Sequence, residues 1–332
     1  MQRRRFGRTR LEIPALTFGG GWVGGLLIRA SEQAREGVLD RALEAGIDWI
    51  DTAALYGNGV SETVIGRWLA KVPAGKRPRI STKFNIDTSA GDFAAQIERS
   101  VAGSLQRLGL ERVELLILHS RVVSGTGTER DKRALSAEEV IGPGGIADIM
   151  DDLRRKGVCD WIGLTGLGEP TALHQVIDSG RFDAAQIYYN LLNPTADKGA
   201  GPGWSSTDFD GLLHRCAAQD MGVMGIRVFA GGHLASTERH GREVAITANA
   251  ENATEEARAR AAFEILASEP STPAQSALRF GLACPLLSTI VVGIGETWHL
   301  EDALKAADLG PLSTATVQKL ESLWRSHPAF RA

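Results

Sequence analysis

A chain of 332 residues, 43% hydrophobic and 23% charged, has enough apolar material for a large core and the charge content of an ordinary globular domain. Its formal net charge of -3 provides no basic field, which disfavours nucleic acid and anionic membrane as partners, and no apolar run approaches the roughly 18 residues of a membrane span. Cys159, Cys216 and Cys284 are scattered, without a C-x-x-C pair or metal-ligand spacing, so the expectation is a reducing, cytoplasmic setting.

The opening Arg3-Arg4-Arg5-Phe6 looks like a twin-arginine export signal, but no apolar stretch and small-residue cleavage site follow it. Residues Arg5 to Ile13 read instead as a small hairpin that plugs the bottom of what comes next. Strands are expected at Leu16 to Gly19, Trp49 to Asp51, Arg79 to Lys83, Val113 to His119, Trp161 to Leu164, Ala184 to Tyr188, Val223 to Arg227 and Thr289 to Val292. Helical spacing separates them: Ala34, Val38, Ala42 and Ala45 after a Ser31 cap, then Phe93, Ile97, Val101, Leu105 and Leu108. Thr272-Pro273-Ala274-Gln275 reads as a capping box with proline in the first helical position. Eight β-α units in series predict α/β architecture, a closed (β/α)8 TIM barrel forming one domain over residues 1–332. Three long polar segments, Ser120 to Gly145, Asn193 to Asp210 and Ala230 to Thr254, are expected as loops over the C-terminal face, with Trp204 placed to fold down as a lid.

Gly19-Gly20-Gly21-Trp22-Val23-Gly24 matches G-x-G-x-x-G, with Glu44 about 20 residues on, the fingerprint of an open-sheet dinucleotide-binding domain. That fold starts its helix at the glycines, whereas helical periodicity here waits until Ser31. The glycines therefore read as the first strand-to-helix loop of the barrel.

Four polar residues stand at or just past the ends of three successive strands: Asp51 and Tyr56, Lys83, and His119. A parallel barrel delivers all of these to one mouth. A phenol, with a pKa of roughly 10, gives up its proton reluctantly unless a nearby cation favours the phenolate. Lys83 supplies that cation, Asp51 keeps the ammonium charged, and His119 orients a substrate oxygen or shares the proton relay. Singly, each has a structural alternative: an Asp turn cap, a loop tyrosine, a structural histidine. Their shared end and order make them a set.

That set resembles the catalytic tetrad of the aldo-keto reductases, whose motif reads here as Asp51-Thr52-Ala53-Ala54-Leu55-Tyr56-Gly57, followed by Lys83 and His119 on the next two strands. The resemblance implies an NAD(P)(H)-dependent oxidoreductase that passes hydride between nicotinamide and an aldehyde, ketone or sugar hemiacetal, with Tyr56 as general acid and base. It places Gly20 and Gly21 beside cofactor and substrate. Gln186 matches the glutamine that bonds the nicotinamide carboxamide, and Thr165-Gly166 occupies the place of a Ser-Asn pair. Ile226-Arg227 stands where an aromatic residue and a serine are usual, with Phe229 in the same turn; Arg227 is read as a contact to cofactor phosphate, to a substrate carboxylate, or as a rim salt bridge. Gly293, Gly295, Thr297, His299 and Asp302 complete the cofactor set. NADP(H) is expected from the family pattern. NAD(H) is the rival, because His299 replaces an arginine and Glu296 repels phosphate.

Trp22, Phe84 and Trp204 are the candidate substrate wall. A second reading is a cofactor-binding regulatory subunit similar to the potassium-channel β subunits. A metal hydrolase is disfavoured, because the seven histidines include neither H-x-H nor HExxH, and no metal is expected. Asp151-Asp152 fits a solvated helix face better than a pair of glycosidase acids. Oligomeric state is not legible in the sequence.

Overall fold

The hairpin at the start of the chain sets the closed end of the molecule. Strand β1 (Arg3–Arg5) pairs antiparallel with β2 (Glu12–Pro14), Arg4 opposite Ile13. The computed structural model describes residues 1–21, 23–125, 132–245 and 251–331. Phe6 lies edge-on to Trp49, ring centroids 5.4 Å apart, and with Ile13, Leu115, Ile117, Ala184 and Met224 forms an apolar floor. Gly222 makes room for it, since a Cβ there would stand 2.5 Å from the Phe6 ring. The arginines that looked like an export signal are anchors: Arg5 holds both carboxylate oxygens of Asp220 at 2.8 and 2.6 Å, and Arg4 donates to the carbonyls of Leu282 and Leu287.

All eight expected strands form. They are β3 (Leu16–Gly19), β4 (Trp49–Asp51), β5 (Arg79–Phe84), β6 (Val113–Leu118), then, after two short strands β7 (Arg121–Val123) and β8 (Ala134–Ser136), β9 (Cys159–Thr165), β10 (Ala184–Tyr188), β11 (Gly222–Ile226) and β12 (Thr289–Gly293). The barrel strands pair in parallel in the order β3-β4-β5-β6-β9-β10-β11-β12, and β12 returns to β3 with Gly293 opposite Gly19. Closure rules out the open-sheet alternative. The glycine run is tight because backbones approach closely: a Cβ on Gly24 would meet Ile294 N at 2.6 Å, and one on Gly20 would meet Ser61 Oγ at 2.6 Å.

Helices α1 (Leu26–Arg29), α2 (Glu32–Glu44), α3 (Val60–Leu69), α4 (Phe93–Leu108), α5 (Ala137–Ile141), α6 (Ile146–Arg155), α7 (Pro170–Asp178), α8 (Thr195–Lys198), α9 (Leu212–Ala218), α10 (Asn252–Leu266), α11 (Pro273–Ala283), α12 (Trp298–Asp308) and α13 (Thr314–Ser326) surround it. Ser31 caps α2 by accepting from Ala34 N, as its sequence predicts; the single turn α1 before it was not expected. In α4 the apolar stripe buries Ile97, Val101 and Leu108, Asp92 caps one end, and Gly109 ends the other at φ 64°. The Thr272/Gln275 capping box with Pro273 is present in α11.

Between Ser120 and Gly145 the expected loop is partly built. Strands β7 and β8 pair in parallel, and Ser136 with Glu139 forms a second capping box at α5. Residues 126–131, 246–250, Trp22 and Ala332 lie outside the described residues. Among the described residues, no helix is long and apolar enough to cross a membrane.

Candidate active site at the barrel mouth

Period-2 alternation builds the interior of the barrel. On β4, Trp49 and Asp51 point inward; on β5, Ser81 and Lys83 do. Trp49 Nε1 donates to Ser81 Oγ at 3.2 Å, and Ser81 Oγ donates to Asp51 Oδ1 at 2.8 Å. One step towards the mouth, Lys83 Nζ donates to Asp51 Oδ2 at 2.5 Å, to the Thr52 carbonyl at 2.8 Å and to Tyr56 Oη at 3.3 Å. Asp51 Oδ1 also accepts from Gln186 Nε2 at 2.7 Å, across the barrel. Asp51 and Lys83 are buried while Tyr56 is partly open, so the polar column ends on a phenol that a ligand can reach.

Electrostatics follow from this geometry. Burial works against charge on Lys83, but Asp51 and then Tyr56 outweigh it and raise the lysine above its ordinary range. The lysine is therefore an ammonium, and it sits beside the oxygen where negative charge is needed. His119 is edge-on to Tyr56, ring centroids 6.0 Å apart. Burial, with Lys83 and Arg227 adding repulsion, lowers it to about 3, so it is a neutral imidazole at physiological pH. Its Nδ1 is buried without a hydrogen-bond partner among the described residues. All four tetrad positions expected from the sequence thus meet in one place.

The expected carboxamide site is equally local. Gln186 on β10 stands opposite Thr165 on β9 in the strand register. Thr165 Oγ1 is buried and has no partner among the described residues. The Gln186 Nε2 of the same pair is already engaged with Asp51 Oδ1. Gly166, where the resemblance leads one to expect asparagine, leaves little room beside β10. A Cβ there would meet Ile187 Cδ1 at 2.9 Å and the Gln186 carbonyl at 3.2 Å, and its own N-H donates to that carbonyl at 2.7 Å.

At the end of β12, Gly293 pairs with Gly19, and Gly295 packs against the Gly24 carbonyl and the His299 ring. Thr297 leads into α12. His299 Nδ1 accepts from the backbone N-H of Gly295 at 3.2 Å and of Glu296 at 3.0 Å. Burial lowers its pKa, His240 adds to this, and Glu296 and Asp302 oppose it without reversing it. The ring is neutral and already covers two amides that an anion would use. Asp302 is engaged elsewhere: its oxygens accept from Thr272 Oγ1 at 3.1 Å and Gln275 Nε2 at 2.7 Å, bracing α11.

Ile226 is a buried aliphatic residue, and Phe229 is half-buried against the core, so neither presents an open aromatic face. Phe84 alternates away from Lys83 and lies in the apolar layer between barrel and helices, not on the mouth; its expected place on the substrate wall is corrected. Trp204 packs on Phe330 at 5.8 Å between centroids, with the Arg331 guanidinium over it, so the structure ties it to the C-terminal segment. Trp22, the third wall residue, lies outside the described residues. Sequence reasoning missed Ser81, although its two-residue offset from Lys83 signals the inward face. It also missed Asn190, which is fully buried and donates Nδ2 to the Arg227 carbonyl at 2.9 Å.

The molecule is a closed parallel barrel whose mouth gathers a carboxylate-held ammonium, a phenol and an imidazole. The Aldo/keto reductase family model matches residues 15–325, and the chain belongs to that family of oxidoreductases. It is 30% identical over 260 residues to a D-threo-aldose 1-dehydrogenase from Pseudomonas sp, covering 70% of this chain and 71% of that protein. It is 26% identical over 166 residues to L-galactose dehydrogenase from Arabidopsis thaliana, covering 49% of this chain and 48% of that one. An aldo-keto reductase from Bacillus halodurans in its holo form superposes with a TM-score of 0.72 at 19% identity, covering 97% of this chain and 96% of that chain, which supports the fold.

Proposed function

We propose that this protein is a nicotinamide-dependent carbonyl oxidoreductase that interconverts an aldehyde, ketone or sugar hemiacetal with its alcohol or lactone partner, using Tyr56 as general acid and base. The single observation that carries the reading is the Lys83 ammonium held 3.3 Å from Tyr56 Oη by Asp51. When bound, the nicotinamide supplies or accepts the hydride. The protein's own part is the proton. In reduction Tyr56 Oη donates to the substrate oxygen, and the adjacent ammonium stabilises the phenolate that remains. Neutral His119 presents its imidazole to the same oxygen without adding a second charge. Thr165 and Gln186 are the residues we assign to the carboxamide.

Within that reading we assign NAD(H) in preference to NADP(H), reversing the order expected from the family pattern. The support is local. The two amides at Gly295 and Glu296 are covered by neutral His299, and the exposed Glu296 carboxylate, 3.9 Å from the Arg242 guanidinium, draws that cation to itself. The relatives found are named as dehydrogenases and reductases, which lends no support to a purely regulatory role.

The test is steady-state turnover of Tyr56→Phe on a panel of aldehydes and aldoses, with cofactor affinity measured in parallel by fluorescence quenching. Turnover should fall by about 10² to 10⁴ while cofactor binding persists. Turnover near the wild-type level would remove Tyr56 from its role.

A further inference from the structure

The polar column beneath the phenol contains a residue to which the proton relay gives no task. Asp51 holds Lys83 through Oδ2, at 2.5 Å. What keeps that oxygen turned to the ammonium is the other side of the carboxylate, where Oδ1 accepts from Ser81 Oγ at 2.8 Å and from Gln186 Nε2 at 2.7 Å. Gln186 is shared with the cofactor headgroup in the reading above. Ser81 lies on β5, one inward position nearer the closed end than Lys83 and opposite Asp51 in the strand register. It is fully buried below the carboxylate, out of reach of a ligand at the mouth.

The direction of its bond is set by a third group. A serine hydroxyl has one proton, and an indole N-H only donates. Trp49 Nε1 donates to Ser81 Oγ at 3.2 Å, so the hydroxyl proton is left for an acceptor. Two stand nearby, Asp51 Oδ1 at 2.8 Å and the Ile50 carbonyl at 3.5 Å. The nearer, charged acceptor takes it, since a hydrogen bond to an ionised oxygen is about twice as strong as one between neutral groups. Trp49 is itself held, fully buried and edge-on to Phe6. A fixed indole therefore orients a hydroxyl, the hydroxyl orients a carboxylate, and the carboxylate holds the ammonium 3.3 Å from Tyr56 Oη. Of the three bonds that Lys83 Nζ makes, to Asp51, the Thr52 carbonyl and Tyr56, the one to the phenol is the longest, so it is the first to weaken if the carboxylate turns.

We propose that Ser81 is a positioning residue of the proton relay, donating to Asp51 Oδ1 so that Oδ2 stays on Lys83 and the ammonium stays beside the phenol oxygen. The proposal rests on the carbonyl-oxidoreductase reading above.

The experiment measures single-turnover oxidation of pre-bound NADH by an aldehyde that wild type reduces, in H2O and in D2O, for wild type, Ser81→Ala and Ser81→Cys. Dissociation constants for NADH are measured alongside. Alanine removes the donor, whereas cysteine fills the space with a thiol that donates only weakly. Both variants should lose about tenfold in the single-turnover rate, with a larger solvent isotope effect than wild type and NADH affinity within about twofold of it. Should Ser81→Ala fail to fold, Ser81→Cys alone gives the answer. Three results overturn the proposal: a wild-type rate in Ser81→Ala; a wild-type rate in Ser81→Cys, which would make Ser81 a packing residue; or a lower rate with an unchanged isotope effect, which would assign the loss to something other than the proton. Tyr56→Phe under the same conditions tests the parent reading separately. An active Tyr56→Phe removes the relay itself, whereas an inactive one beside a fully active Ser81→Ala removes only Ser81 from it.

Discussion

The two ends of the barrel differ in what they bury. At the floor, Phe6, Ile13, Trp49 and Met224 are sealed from solvent, glycine makes room for the plug, and the hairpin arginines are matched to carbonyls and to Asp220. At the mouth, buried polar atoms of Asn85, His119 and Thr165 lack partners among the described residues, and Arg227 and Ala230 hold strained backbone. A buried polar atom without a partner costs about 1–3 kcal/mol, and the closed end has Asp48 Oδ1 of this kind and left-handed backbone at Arg10 and Asp220, so the ends differ chiefly in the apolar seal. The expectation is that a change at the sealed floor acts on stability and a change at the mouth acts on turnover.

Tyr56→Phe gives the largest expected effect, at the mouth: turnover collapses, yet the thermal midpoint should stay close to that of wild type, since the phenol is only partly buried. Phe6→Ala should do the reverse. Removing that fully buried ring should cost about 3–5 kcal/mol in urea unfolding, while the remaining folded enzyme keeps its kcat/KM. If Phe6→Ala lowered kcat as strongly as it lowered stability, the separation would be wrong.

His119 sharpens the comparison through pH. Its folded pKa of about 3 lies below the unfolded value near 6.5, so below that value the unfolded chain takes up a proton that the folded one refuses. Stability contributed at neutral pH is therefore lost as pH falls, by roughly 2 kcal/mol near pH 5. His119→Gln should lose less stability between neutral pH and about pH 5 than wild type does, in paired denaturant titrations. Equal losses would mean that the imidazole titrates normally. The smallest effect is expected at the rim, where His299→Arg frees two amides and adds a cation. It should shift the ratio of NADPH to NADH affinity about tenfold towards NADPH, read by fluorescence quenching.

The barrel was legible because eight apolar runs of strand length alternate with helical spacing, a pattern set by backbone periodicity alone. That Asp51, Tyr56, Lys83 and His119 come together was legible for the same reason, since strand ends fix which residues share the mouth. Phe84 shows what a coarser reading loses: alternation from Lys83 already directs it outward. Asp302 and Trp204 could not be placed that way, because their partners, Thr272, Gln275, Phe330 and Arg331, come from distant segments and the contacts exist only after packing. Strands β7 and β8 lie within a long polar segment and pair with each other in a separate two-stranded sheet, so tertiary contact decides them.

Gln186 has one further consequence. The amide proposed for the nicotinamide headgroup donates to Asp51 Oδ1 while Lys83 donates to Asp51 Oδ2, so under that proposal one carboxylate would stand between the redox partner and the group that acts on the phenol.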